Sequence, residues 1–242
     1  MNRIVLIFGI FLVGLSPSFI YAGDTTRANH SQWYFGMCAG ANYNQFTGLQ
    51  EMIVSEDYYT GYSLDSKYRF GFTGGVFFNY RVHRLFGIQP EILYSMQPGR
   101  LQYSDINDFK YDLDFKYNYL NVGVSLKLYP WRHLFLSVSP QVGFPLTPNK
   151  LQYISNGEDM YGPDMETQQL MSNVIKGSTC VSIGFGLGYQ FLNKIYIDAR
   201  YCLGINDMIE TLPNSYRFAE VRNTINSVQF TIGYAFSISK NR

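Results

Sequence analysis

The chain has 242 residues, of which 46% are hydrophobic, 17% aromatic and only 15% charged, with 22 glycines and a formal net charge of +1. A net charge this small, with no basic patch, removes nucleic acid from consideration. So little charge does not suit the surface of a soluble exported domain, whereas a barrel that turns alternate residues toward lipid and carries aromatic girdles accommodates it.

At the N-terminus, Arg3, the apolar run Ile4 to Leu15, the breaker pair Ser16-Pro17 and the small residue Ala22 follow the order of a secretory signal peptide. Cleavage is expected near Ala22, leaving a signal segment of residues 1–22 and one β domain of residues 23–242. The run is short of the ~20 residues that a spanning helix needs, and no later run approaches that length. A helical membrane protein is therefore excluded. No cysteine follows Ala22, which argues against a lipoprotein anchor.

From there, alternation at period two recurs in about eight segments long enough to cross a bilayer as tilted strands. They lie near 32–44, 67–80, 85–97, 116–129, 133–145, 178–191, 194–205 and 226–238. In the fourth, Leu120, Val122, Val124, Leu126 and Leu128 oppose Tyr119, Asn121, Gly123, Ser125 and Lys127. In the sixth, Val181, Ile183, Phe185, Leu187, Tyr189 and Phe191 alternate with Ser182, Gly184, Gly186, Gly188 and Gln190. The last places Val228, Phe230, Ile232, Tyr234, Phe236 and Ile238 opposite small and polar residues. A β-sandwich would alternate too, but around a dry apolar core; here the second face is too rich in Gly, Ser, Asn and Gln. The expected fold is all-β: an eight-stranded antiparallel transmembrane β-barrel of the outer-membrane type, with four long external loops. Pro90 and Pro140 fall inside strands, where a missing N–H predicts bulges or irregular pairing.

Connections alternate between short, near 81–84, 130–132 and 192–193, and long, about 45–66, 98–115, 146–177 and 206–225. Outer-membrane barrels have short periplasmic turns and long external loops, which predicts an even strand count with both termini in the periplasm. Charge divides the same way. Apart from Asp24, Glu91 and Asp198, every acid lies in the long connections, while the short turns carry Arg81, Arg84, Arg132 and Lys194.

On this alignment Arg69, Glu91, Lys127, Asp198 and Arg200 all point into the lumen. The interior of a barrel this size is just wide enough for side chains to fill it, so mutual pairing is the simple reading, because unpartnered buried charge is costly. A narrow polar conduit or a small-ligand site is the alternative. Catalysis at the external rim would want a titratable base near its nucleophile, yet His30, His83 and His133 all fall at the short-turn end, so no enzyme is expected. The acids Glu51, Glu56 and Asp57, then Asp105, Asp108, Asp112 and Asp114, then Glu158, Asp159, Asp164 and Glu166 read as solvated loop charge, lacking the spacing of a calcium loop. Tyrosines among them, such as Tyr58, Tyr103, Tyr111 and Tyr153, are the type that anchors protein contacts. Cys38, Cys180 and Cys202 are odd in number and have no metal spacing; they read as small apolar side chains on strands. No cofactor or metal is expected.

Particular stretches carry a resemblance: Phe86-Gly-Ile-Gln-Pro-Glu-Ile-Leu-Tyr-Ser95, Tyr119-Leu120, Gly184 to Tyr189, and Asp198-Ala-Arg-Tyr201 followed by Leu203-Gly-Ile-Asn-Asp207. From about residue 32 onward the chain resembles the PorT-type (porin family) outer-membrane β-barrel proteins of Gram-negative bacteria. The resemblance implies an eight-stranded barrel in the outer membrane and no shared chemistry. The expected function is a non-enzymatic barrel with a filled polar lumen. It would present external loops, notably 45–66 and 146–177, to a ligand or partner, or support envelope or secretion functions, with outer-membrane lipid and lipopolysaccharide around it. A small-solute channel is the alternative.

Overall fold

Each long alternating segment forms a strand in a computed structural model of the protein, which describes residues 32–48, 62–105, 110–131, 133–155, 164–191, 194–211 and 223–237. In chain order the elements are β1 (Gln32–Thr47), β2 (Tyr62–Lys67), β3 (Arg69–Arg81), β4 (Phe86–Asp105), β5 (Lys110–Leu128), β6 (Leu134–Pro145) and β7 (Leu151–Ser155). They continue with α1 (Asp164–Val174), β8 (Ile175–Gly177), β9 (Cys180–Phe191), β10 (Ile195–Gly204), β11 (Ile209–Thr211) and β12 (Thr224–Ser237).

Eight of the strands close a ring in the order β1-β3-β4-β5-β6-β9-β10-β12, every neighbour antiparallel, with β12 returning to β1. Closure removes free edges from the wall. Period-two alternation decides what faces where. Outward residues such as Phe72, Leu120, Phe185, Leu187, Phe230 and Ile232 are exposed, while Asn121, Ser125, Ser182, Gln229 and Thr231 on the opposite face are buried. This inverts a soluble core, as expected of a wall whose solvent is lipid. Ile238 lies outside the described residues.

Aromatic rows mark both ends of the apolar band. At the short-turn end Trp33 stacks on Tyr80 with 3.9 Å between ring centroids, and at the other Tyr43 stacks on Tyr68 at 4.8 Å. Trp33 and Tyr43 lie ten residues apart on β1. At ~3.3 Å per residue and a tilt of ~40°, that is a height of ~25 Å, the band expected of an outer-membrane barrel. Carried across the ladders, the band takes in roughly 88–98 on β4 and 116–126 on β5.

The prolines interrupt pairing on one side only and shift no register. Between Phe77↔Glu91 and Tyr80↔Ile88 the β3–β4 ladder skips the pairs around Pro90, which stays paired with Val124 on its other flank. Pro140 does the same, losing its partner on β5 and keeping Ile183 on β9. The result is irregular pairing without a bulge.

The expected long connection at 98–115 is for the most part not a loop. β4 and β5 run on together in one register from Phe86↔Leu128 to Ser104↔Lys110, and β2 and β7 add to the two flanks of this extension. Its inward side stays apolar, with Leu101, Leu113 and Phe115 fully buried. Its outward side turns polar, as a strand must where it leaves lipid for water. Parts of the 146–177 and 206–225 connections are ordered as well, as β7, α1 and a two-stranded sheet of β8 and β11.

Candidate functional site

The lumen is stacked in layers. Nearest the short turns, Tyr34, Phe77, Tyr129, Phe135 and Tyr196 form an apolar layer with Cys38, Leu93 and Ala235, and Phe77 meets Tyr196 edge-on at 5.0 Å. Above it lie the charges. Period-two projection brings Glu91 from β4 and Asp198 and Arg200 from β10 to one level, all at 5% exposure or less. Arg200 Nη1 donates to Glu91 Oε1 at 2.5 Å, and its Nη2 donates to Asp198 Oδ2 at 2.8 Å and to Ser125 Oγ at 3.2 Å. Lys127 from β5 donates to Gln89 Oε1 at 2.8 Å, and Gln89 Nε2 donates on to Glu91 Oε2 at 3.2 Å. The Lys127 ammonium also sits 4.1 Å from the centroid of Phe135, a contact that is strongest when desolvated.

The small residues on β9 are what make room for this. A Cβ on Gly184 would come within 2.6 Å of Arg200 Cδ, and one on Gly186 would meet both Ser137 Oγ and Asp198 Oδ1. Those two oxygens are buried without a hydrogen-bond partner among the described residues, as is Arg200 Nε. The void beside Lys127 measures about 10 Å³, room for about one water molecule.

Next come amides and hydroxyls, including Asn42 donating to Ser95 at 2.8 Å and Gln141 donating to Ser182 at 2.9 Å. The far end is capped by an apolar cluster of Phe46, Leu101, Leu113, Phe115, Tyr117 and Tyr119, joined by Ile175 of β8, Met208 and Ile209 of β11. Two asparagines that sequence reasoning did not single out as functional clamp that cap. Asn223 Oδ1 accepts from Met208 N at 3.0 Å and Ile209 N at 2.7 Å, while its Nδ2 donates to Ile209 O at 2.9 Å. Asn206 Nδ2 donates to Thr179 O at 2.6 Å, and its Oδ1 accepts from Val181 N. Asn206 and Asp207 belong to the stretch that carries the family resemblance, which gives that stretch a structural reason.

Of the five charges expected in the lumen, four come together and Arg69 does not. The pairing slips by one residue between Thr73↔Ser95 on β3 and Lys67↔Arg100 on β2, and a one-residue slip exchanges the faces of a strand. Arg69 stands on the β3 side of this slip, still opposite Asn44 on β1, and its guanidinium meets Asp114 Oδ2 at 3.1 Å; Asp114 lies on the outward side with Lys116 and Leu120, beyond the aromatic row. Arg100 grips the same carboxylate through Nε at 2.5 Å and Nη2 at 2.8 Å. Asp114 is therefore not the solvated loop acid expected; it is 5% exposed. Burial raises its pKa, but the hydrogen bond and charge of Arg100, then the charges of Arg69 and Lys116, outweigh this and hold the carboxyl below its ordinary value. The acids at 51, 56, 57, 108, 158 and 159 lie outside the described residues.

His83 and His133 sit in short turns, His83 Nδ1 accepting from Leu85 N at 3.3 Å; His30 is outside the described residues. Among the described residues no group of three His, Cys, Asp or Glu side chains could hold a metal, and Cys38, Cys180 and Cys202 are buried free thiols.

No curated protein matches this chain. Among solved structures it is similar to Ail, the attachment invasion locus protein of Yersinia pestis, seen in complex with the heparin analogue sucrose octasulfate. The identity is 13% over 85% of this chain and 99% of that one, with a TM-score of 0.42. It is also similar to OprG from Pseudomonas aeruginosa, with 11% identity over 86% and 98% of the two chains and a TM-score of 0.42. AlkL in lipid bilayers gives 11% identity over 92% and 98%, with a TM-score of 0.38. The family described as the outer membrane protein beta-barrel domain matches residues 11–210. With a closed eight-stranded ring that is apolar outside and polar within, the chain belongs to that outer-membrane β-barrel family.

Proposed function

We propose that this protein is a non-enzymatic outer-membrane barrel with a filled polar lumen. It acts through its long connections, which face the outside of the cell and present a surface to a ligand or partner, or support envelope or secretion functions. The observation that carries this reading is the layered interior: an aromatic layer, the Glu91, Asp198, Arg200 and Lys127 layer, and an apolar cap occupy the lumen in succession. A partner then has only the ends to engage. The segments 45–66 and 146–177 are the contact regions, and lipopolysaccharide surrounds the outer rim. The basic short turns and acid-bearing long connections support a periplasmic position for the short turns, and the histidines in those turns stand away from the end where a partner would dock. Within the family we read the chain as PorT-type on the stretches Phe86–Ser95 and Asp198–Tyr201, and residues 1–22 as a signal peptide removed near Ala22.

Planar-bilayer recording of the refolded protein tests the filled lumen: a silent membrane is expected, and steady single-channel steps would replace this reading with a small-solute channel. Protease added to intact cells tests the orientation, with cuts expected within 146–177; cuts confined to 81–84 would invert it.

A further inference from the structure

Four polar atoms in the upper lumen are buried without a hydrogen-bond partner among the described residues: Asn44 Oδ1, Gln97 Oε1 and the hydroxyl oxygens of Tyr117 and Tyr119. Their side chains belong to residues at 0%, 8%, 0% and 0% exposure. The ladders bring them together. Gln97 on β4 lies directly opposite Tyr117 on β5, and Tyr119 lies opposite Ser95, two residues nearer the short turns. From β1, Asn42 donates to Ser95 Oγ at 2.8 Å, and Asn44 donates to Asn42 Oδ1 at 2.9 Å, which ties Asn44 to the same pair of rungs. Over them lies β8: a Cβ on Gly177 would stand 3.1 Å from the Tyr119 hydroxyl and 3.4 Å from the Tyr117 ring. The four atoms therefore sit where the polar layer of the lumen meets the underside of the cap.

Their chemistry is complementary although they do not bond to one another. A phenol hydroxyl can donate, and an amide oxygen can only accept. Left dry, each would forfeit its hydration for nothing, and buried polar atoms nearly always find a partner in protein or in ordered water. Water both donates and accepts, and buried water typically makes two to four such bonds to groups that lack any other. A cation would meet the same oxygens with no carboxylate among them to offset its lost hydration.

We propose that ordered water is bound at this site, bridging the amide oxygens of Asn44 and Gln97 to the hydroxyls of Tyr117 and Tyr119, so that the cap is joined to the wall by water as well as by apolar packing and the two asparagine clamps. The inference rests on the layering of the lumen and not on what the long connections bind or which side they face, so it stands or fails independently of the function proposed above.

Tyrosine-to-phenylalanine variants of the full-length protein test it, because they delete a hydroxyl and keep the ring. Deleting a water-held hydroxyl loses a hydrogen bond, whereas deleting a dry one relieves an unmet desolvation cost. In lipid vesicles, Tyr117→Phe and Tyr119→Phe are each expected to lower the urea midpoint. Tyr119→Phe is also expected to speed hydrogen exchange at residues 175–177 by about threefold to tenfold, the worth of one hydrogen bond. A crystal structure of the wild-type protein that resolves ordered water is expected to show density at ~2.7–3.2 Å from at least two of the four atoms, and the Tyr119→Phe crystal to lose or displace it. A midpoint that is unchanged or raised in both variants would overturn the proposal. So would a wild-type crystal with no density at the site, or with density at the ~2.3–2.6 Å of a coordinated ion. Should either variant fail to refold, the wild-type crystal decides the matter alone.

Discussion

Glu91 and Arg200 stand 109 positions apart in the chain and meet at 2.5 Å across the middle of the barrel. The pair ties β4 to β10, strands that share no ladder, so it braces the wall through its interior. Each partner is buried and shared, Arg200 with Asp198 and Ser125, Glu91 with Gln89. Removing one partner strands charge in a dry interior, at a cost of about 3–5 kcal/mol. Arg200→Met is therefore expected to lower unfolding stability in lipid vesicles by about that amount. Adding Glu91→Gln to it is expected to recover part of the loss, so that a double-mutant cycle gives a nonzero coupling.

Gly186 gives a second measurable consequence. A methyl group there would meet Ser137 Oγ and Asp198 Oδ1, and the lumen has no slack to absorb it. Gly186→Ala is expected to destabilise the barrel by about 1–3 kcal/mol, as overpacking does. Gly74→Ala, where the nearest atom is 3.3 Å away on the outward face, is expected to cost clearly less under the same denaturant titration.

Asp114 makes the extended hairpin sensitive to acid and not to neutral or mildly basic pH. Its carboxyl is held below its ordinary value, so the stabilisation is present above the unfolded carboxyl's pKa of ~3.9 and is lost as pH falls through the lower folded value. Hydrogen exchange at residues 99–104 and 111–116 is expected to accelerate only below about pH 4. Asp114→Asn is expected to raise exchange at neutral pH and abolish the acid step; an unchanged acid step in that variant would contradict the assignment.

The cap can be loosened without touching the wall. Asn223→Ala removes one acceptor shared by Met208 and Ile209 and one donor to Ile209 O; Met208 N keeps the backbone oxygen of residue 223 at 3.2 Å, so the loss falls on Ile209, at about 1–3 kcal/mol. Faster exchange and proteolysis are expected at 206–211, with the slow exchange of β9 and β10 retained.

Much of this was legible because lipid imposes a simple code. Where Leu120, Val122 and Val124 alternate with Asn121, Gly123 and Ser125, the strand, its two faces and its place in the ring follow from parity alone. The code stops at the membrane boundary. Leu101, Leu113 and Phe115 continue the inward alternation, but their outward neighbours Arg100, Asp112 and Asp114 are polar, and the segment resembled a loop although it is a paired hairpin. Arg69 keeps the register of its strand, opposite Asn44, and reaches Asp114, a contact that a pattern whose period is two does not reveal. The three-residue strands β8 and β11 are too short to show periodicity, and the clamps at Asn206 and Asn223 join segments that only the folded chain brings together.

The seam between β1 and β12 bears on how such a barrel comes into being. Its pairs run from Thr47↔Thr224 to Tyr34↔Ser237, so the first wall strand to leave the ribosome waits for the last. Until residues 224–237 arrive, the sheet has two raw edges, each a template for joining another chain, and the contact that removes them is among the slowest kind to form because it closes nearly the longest loop available. The protein therefore has a vulnerable adolescence: an almost finished wall is no safer than a barely started one, and an escort that shields both edges until they meet matters more to its survival than the strength of any single strand pair.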